Sequence, residues 1–185
     1  MSTADRKRWD ARFADLEAVE PGPPTALAGR EDLVPTTGRA LDVACGRGAV
    51  AVWLARRGLD VEAVDVSPVA LAAGRALAGE VHWVEADLDD GLPVDGPYDV
   101  VVCQRFRDPA LYPALVDALA PGGLLVVTVL TGEGAFRAPP GELLAAFGHL
   151  DVLHHDAGDR EEGLVARRPL TPAAASPGPR RDPGR

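Results

Sequence analysis

Three carboxylates and one glycine-rich bend are the groups in this chain best placed to do chemistry. Asp42 precedes the bend Cys45-Gly46-Arg47-Gly48, Asp65 ends the next apolar run, and Asp87 closes the one after that. A carboxylate accepts hydrogen bonds through two oxygens, so an acid at a strand end suits a vicinal diol or an amino group. The glycines let the backbone turn tightly and approach a ligand with no Cβ in the way. By themselves they are ambiguous. Gly46-x-Gly48-x-x-Ala51, with Asp65 about where a ribose-binding acid would stand, also matches a dinucleotide fingerprint.

Elements that could hold these residues in place follow from the punctuation. Residues 40–43 read as a short strand, followed by the bend and then a helix carrying Val50, Trp53 and Leu54, which Gly58 stops. Residues 61–64 read as the next strand. Ser67 is then a plausible N-cap and Pro68 a first helical residue, before an Ala/Leu-rich helix to Gly79. Strands are expected at 81–84 and 98–103. A helix with Leu111, Leu115, Val116 and Leu119 follows, then a Pro121-Gly122-Gly123 turn and a fifth strand at 124–130. A short helix around Leu143, Leu144 and Phe147 precedes two strand-like pieces, 150–155 and 163–167, which read as a terminal antiparallel hairpin. The alternation predicts an α/β chain with a doubly wound, mostly parallel seven-stranded sheet, and ligands outside the carboxyl ends of its strands.

The order of the motifs narrows the choice. Leu41-Asp42-Val43-Ala44-Cys45-Gly46-Arg47-Gly48, Ala63-Val64-Asp65-Val66-Ser67-Pro68, Glu85-Ala86-Asp87-Leu88 and Leu119-Ala120-Pro121-Gly122-Gly123 resemble, in sequence, the successive motifs of class I S-adenosylmethionine-dependent methyltransferases. The resemblance covers about residues 39–130 and implies the Rossmann-like fold of that family. Trp9, Arg12 and Phe13 form an opening Trp-x-x-Arg-aromatic segment similar to that of small bacterial methyltransferases of the tellurite-resistance type. An NAD(P)-binding oxidoreductase, which would need a second catalytic domain, and a non-catalytic S-adenosylmethionine-binding protein stay open as alternatives.

The resemblance implies a role for each matching position. Ala44, Cys45, Gly46 and Gly48 would line the methionine part of S-adenosyl-L-methionine through backbone groups. Asp65 would accept from both ribose hydroxyls, with Val66 as an apolar wall and Ser67 beside it. Ala86, Asp87 and Leu88 would frame the adenine, the Asp87 carboxylate accepting from its amino group and the Leu88 amide donating to a ring nitrogen. Asp42 and the Cys103 carbonyl would face the cofactor's ammonium, and Trp9 and Arg12 would fold the N-terminal helix over the site, Arg12 near the carboxylate.

Methyl transfer is a displacement at a sulfonium carbon, so the protein mainly supplies in-line placement and a dry pocket. No catalytic base is named. Cys103-Gln104-Arg105-Phe106-Arg107-Asp108 lacks the Asn-Pro-Pro-aromatic or Asp-Pro-Pro-aromatic sequence of enzymes that methylate nucleobase amines. Gln104 and Arg105 are candidates for orienting substrate, with Arg105 expected at a helix start, able to attract an anion or to shield the cofactor carboxylate. Only residues 131–138 separate the fifth strand from the next helix, which leaves no room for a large substrate-binding insertion. A small-molecule acceptor is expected, such as a thiol, a metalloid or another soft nucleophile.

Composition sets the outer bounds. A net charge of −9 over 185 residues disfavours a surface that tracks phosphates, so no nucleic-acid partner is expected. No apolar run approaches a membrane span, the charged start has no signal-peptide core, and two cysteines suit a cytoplasmic protein. Cys45 and Cys103 fit as small buried side chains; the alternative is that they approach one another and bind a soft metalloid or oxidise. No metal site is expected: His154 and His155 would point to opposite faces of a strand, and His149 stands apart. Three segments are expected, a helical cap and linker at 1–38 with its helix at 4–19, the main domain at 39–170, and a Pro/Arg-rich disordered tail at 171–185.

Overall fold

Short β-branched runs, each ended by a turn or a helix start, align into one sheet in a computed structural model that describes residues 3–14, 20–134 and 136–170. The strands are β1 (Arg39–Val43), β2 (Asp60–Asp65), β3 (His82–Glu85), β4 (Tyr98–Gln104), β5 (Leu119–Leu130), β6 (Asp151–Ala157) and β7 (Glu161–Arg167). Their order is β3-β2-β1-β4-β5-β7-β6. The first five pair in parallel, while β7 runs antiparallel to both β5 and β6. The predicted doubly wound sheet with a terminal hairpin is therefore what forms.

The helices are α1 (Thr3–Ala14), α2 (Ala49–Arg56), α3 (Pro68–Leu77), α4 (Tyr112–Asp117) and α5 (Glu142–Phe147). Alternation along the strands divides the core into two layers. Leu41, Val43, Val101, Cys103, Leu125 and Val127 face Leu115, Leu143 and Phe147 of α4 and α5. Ala40, Val100, Val102, Leu124 and Val126 face Ala51, Leu54 and Leu71 of α2 and α3. Buried side chains of this size each contribute about 1.5–3 kcal/mol relative to exposure.

Ser67 caps α3 as its sequence promises, its Oγ accepting from the Ala70 amide at 3.2 Å with Pro68 just inside. Leu119, expected on the fourth helix, instead opens β5 opposite Tyr98. The Pro121-Gly122-Gly123 bend is accommodated inside β5, where the register shifts between Tyr98 and Val100. The linker also joins the core: Leu27 and Val34 are buried, and the Arg57 guanidinium donates to the carbonyls of Glu31 and Val34. Part of the expected first helix, 15–19, and the tail, 171–185, lie outside the described residues. Among the described residues no helix is long and apolar enough to cross a membrane.

The chain passes from β3 at one edge, across the sheet, to β4 on the far side of β1. Connections leaving β1 and β4 diverge there, and a crevice must open at the carboxyl ends of the two strands.

Candidate functional site

That crevice is a cavity of about 390 Å³. Its wall comes from β1 and its loop (Asp42, Ala44, Cys45, Gly46), from β2 (Asp65, Val66), from Leu88, and from the end of β4 (Gln104, Arg105). Trp9 and Arg12 of α1 cover it. The rings of Trp9 and Phe13 stack at 5.7 Å, and the Arg12 guanidinium lies 5.4 Å over Trp9. Eleven of the residues singled out from the sequence thus meet in one place.

Asp65 organises the floor. Its Oδ2 accepts from the Gly46 amide at 2.8 Å and its Oδ1 from the Ser67 amide at 2.9 Å, which ties the end of β2 to the glycine bend. Burial raises its carboxyl above the ordinary range, although those amides oppose the shift. A carboxylate has about four lone-pair sites, so each oxygen keeps capacity for a ligand hydroxyl.

Asp42 is more exceptional. It is buried, and its Oδ2 has no hydrogen-bond partner. Burial pushes its carboxyl up to about 8, opposed by the Ala51 amide and aided by the nearby Asp65. Between about pH 4 and about pH 8 the folded protein holds a proton that the unfolded chain has released, so Asp42 lowers stability as pH rises through that window. Asp42→Asn is expected to remove this contribution. Urea unfolding of both proteins at about pH 5 and about pH 8 checks it, and equal losses in both would exclude the effect.

Among the described residues, two that are not glycine have left-handed backbones, Ala44 at φ 55° and Arg105 at φ 54°, and both line the cavity at the ends of adjacent strands. Such residues cost about 1–3 kcal/mol and persist where the surroundings hold them. The Arg105 amide is held by Thr128, donating to its carbonyl at 2.8 Å and its Oγ1 at 3.1 Å. Arg105 is therefore not at a helix start, since α4 begins only at Tyr112.

Five expected positions stand outside the wall. Gly48 turns at φ 76° and packs against Trp83 of β3. The Ser67 hydroxyl donates to Asp10 of α1, which anchors the covering helix. Ala86 gives its amide to the Asp65 carbonyl, extending the β2–β3 ladder. Asp87 accepts from the Asp89 amide at 3.0 Å, capping a 3-10 turn over Leu88–Asp90, so of that group only Leu88 reaches the wall. Cys103 is buried within β4, paired between Val43 and Val127, and the wall begins one residue later at Gln104.

The two cysteines pack on different sides of the sheet. Cys103 belongs to the layer under α4, whereas Cys45 packs against the opposite layer, and both are free. Burial raises both thiols, which leaves them protonated and unreactive at neutral pH. His155 pairs with Glu162 at 2.9 Å. The wall also contains Phe13, Arg47, Ala49, Val50, Phe106 and Leu130, which sequence reasoning had not assigned to the site. Phe13 carried a signal, its place in the opening aromatic segment; Phe106 and Leu130 carried none.

A wider groove of about 610 Å³ lies between α4 and α5, away from the strand ends. Its Glu142 carboxylate is already satisfied, accepting from Tyr112 and Arg107 at 2.6–3.0 Å. The strand-end cavity, by contrast, leaves a buried carboxylate oxygen unpaired, and it is the better ligand site.

Residues 40–123 match a family described as a methyltransferase domain. Over 161 residues the chain is 36% identical to a ribosomal RNA small subunit methyltransferase C of Chromohalobacter salexigens, covering 78% of this chain and 44% of that protein. The chain spans less than half the length of the first curated relatives it matches. Its fold aligns with TehB from Haemophilus influenzae at a TM-score of 0.69 and 15% identity, covering 86% of this chain and 67% of the other. It aligns with a TehB-like SAM-dependent methyltransferase from Corynebacterium glutamicum at 0.65 and 19%, covering 90% and 100%. The family match falls on the segment that builds the cavity, and residues 40–123 are a methyltransferase domain of the class I, S-adenosylmethionine-dependent kind.

Proposed function

We propose that this chain transfers the methyl group of S-adenosylmethionine to a small acceptor carrying a soft nucleophile, such as a thiol. The observation that carries the cofactor reading is the unpartnered, buried Asp42 Oδ2 on the cavity wall. A cationic ligand satisfies that oxygen, and the cofactor brings an ammonium. A dinucleotide would set its pyrophosphate against the same glycine bend and bring no ammonium to that oxygen.

The residues present fit the cofactor in its other parts as well. Asp65 would hold the ribose hydroxyls, Val66 and Leu88 would flank the adenine, and Ala44, Cys45 and Gly46 would meet the methionine portion through backbone groups. Arg12 would face the carboxylate from α1, and Trp9 with Phe13 would exclude water. When bound, S-adenosylmethionine supplies the electrophilic methyl carbon. This chain then orients the acceptor in line and keeps the pocket dry; among the described residues none on the wall is a His, Lys, Tyr or Glu.

A small acceptor is supported by the loop after β5. Residues 131–138 close on themselves through a bridge between Thr131 and Ala138 and a bond from Arg137 to the Thr131 carbonyl. Little chain is left there to build a docking surface for a large substrate. The charge of −9 points the same way.

A thermal-shift comparison tests the reading. S-adenosylhomocysteine at about 100 times its Kd is expected to add about 2.7 kcal/mol and raise the melting temperature by roughly 5–10 °C, with no response to NADH. Stabilisation by NADH alone would overturn it. Binding without transfer to any of a thiol panel would favour the non-catalytic reading.

A further inference from the structure

The two sides of the cavity differ in chemistry. The β1 and β2 side presents Asp42 and Asp65 together with Arg47 of the glycine bend, whereas the ends of β4 and β5 present Gln104, Arg105, Phe106 and Leu130. On the methyl-transfer reading, the first side takes the cofactor and the second faces the acceptor.

Arg105 is held at both its backbone and its side chain. Its left-handed backbone is fixed by the two hydrogen bonds to Thr128. Its Nε donates to Glu161 Oε2 at 2.7 Å, and Glu161 Oε1 accepts from Thr25 Oγ1 at 2.7 Å. The partner carboxylate is thus itself anchored, by the linker that crosses the end of β7. Only Nε is engaged in this pair, so the terminal amino groups point their donors elsewhere, and the side chain is 58% exposed at the mouth. A guanidinium offers a planar fork matched to a carboxylate.

We infer that Arg105 selects acceptors carrying an anionic group, a carboxylate in the first instance. This end stays at the mouth while the nucleophile passes inward between Phe106 and Leu130. Glu161 is a positioning residue that acts through Arg105. For a thiol acceptor, a sulfur lone pair forms the bond to the methyl carbon. The bond from that carbon to the sulfonium breaks with its electron pair left on the departing sulfur, now a neutral thioether, and the thiol proton goes to water. No wall residue needs to take that proton, because a thiol with a pKa of about 8.5 is already a few per cent thiolate in water at neutral pH and gives up its proton before it enters the pocket.

The inference rests on the methyl-transfer reading, and a matched pair of probes separates the two. Protein saturated with S-adenosylhomocysteine is titrated calorimetrically with 3-mercaptopropionate and with 3-mercapto-1-propanol, which differ only in the charged end. The wild type is expected to bind the carboxylate about tenfold more tightly. Arg105→Gln should erase that ratio and leave S-adenosylhomocysteine affinity within about twofold. Glu161→Ala should cut the ratio about threefold, and Glu161→Gln, which keeps an oxygen for the Nε–H, should restore it. Equal affinities for the two probes, in wild type that binds S-adenosylhomocysteine, overturn the inference alone. Loss of S-adenosylhomocysteine affinity in Arg105→Gln also overturns it, by assigning the arginine to the cofactor carboxylate. Failure of wild type to bind S-adenosylhomocysteine overturns the cofactor reading and the inference together.

Discussion

Asp65→Ala is expected to weaken S-adenosylhomocysteine binding by about 100-fold or more, the largest loss of any single change in the cavity wall. Two charge-assisted hydrogen bonds from ribose hydroxyls would disappear, each contributing about 1.5–3 kcal/mol where the acceptor is partly desolvated. The substitution also frees the amides that Asp65 holds, those of Gly46 and Ser67. Ser67 is fully buried, so its N–H is left without a partner at a cost of about 1–3 kcal/mol. The Gly46 amide lies on the cavity wall, where water replaces the lost carboxylate and the cost is smaller.

Part of that destabilisation is offset, because burial already raises the Asp65 carboxyl and removing it relieves desolvation. A net loss of about 1–2 kcal/mol is expected, too little to unfold a domain of ordinary stability. Affinity and stability are therefore separable: calorimetric titration well below the melting temperature reads the first, and unfolding without ligand reads the second. Asp65→Asn should not rescue binding, since its amide group would meet one of the two backbone donors. An unchanged Kd in Asp65→Ala would remove this carboxylate from the site and the adenosine end with it.

Legibility in the sequence tracked the range of the interaction that decides each feature. The cap at Ser67-Pro68, the bend at Gly46 and the hairpin were all readable, because each depends on a few adjacent residues. The sheet order followed from alternation of strands and connections, which constrains topology strongly. Where a partner lies far along the chain, the sequence carried no signal of it. Gly48 answers to Trp83, and the Ser67 hydroxyl to Asp10. The Cys103 side chain falls one residue short of the wall, because strand alternation sends successive side chains to opposite faces and the wall begins only where β4 ends. The left-handed backbone of Arg105 had no signal at all, since arginine has no preference for that region. Phe106 and Leu130 became wall residues only through the meeting of two strand ends.

Gly48→Ala is expected to cost about 3–5 kcal/mol, a large part of the stability of a domain this size. A Cβ at Gly48 would stand 2.1 Å from Trp83 Cη2 and 2.5 Å from Cζ3. The indole has nowhere to go. A Cβ at Gly74 would also come within 2.5 Å of the same ring, and Trp83 Nε1 is pinned to the Ala78 carbonyl at 3.2 Å. Two glycines thus form a slot that the ring fills, locking the start of α2 against α3. Left-handed strain accounts for only about 1 kcal/mol of the loss, and Gly29→Ala measures that share, because Gly29 has φ 72° with nothing within 4 Å of its added Cβ. The excess of Gly48→Ala over Gly29→Ala in denaturant unfolding is then the collision with the ring. Replacing Trp83 by Leu in the Gly48→Ala background should recover at least about 1 kcal/mol relative to additivity, since each change makes room for the other. Equal losses at Gly48 and Gly29 would mean that the ring moves aside, and the slot would have no part in holding the glycine bend.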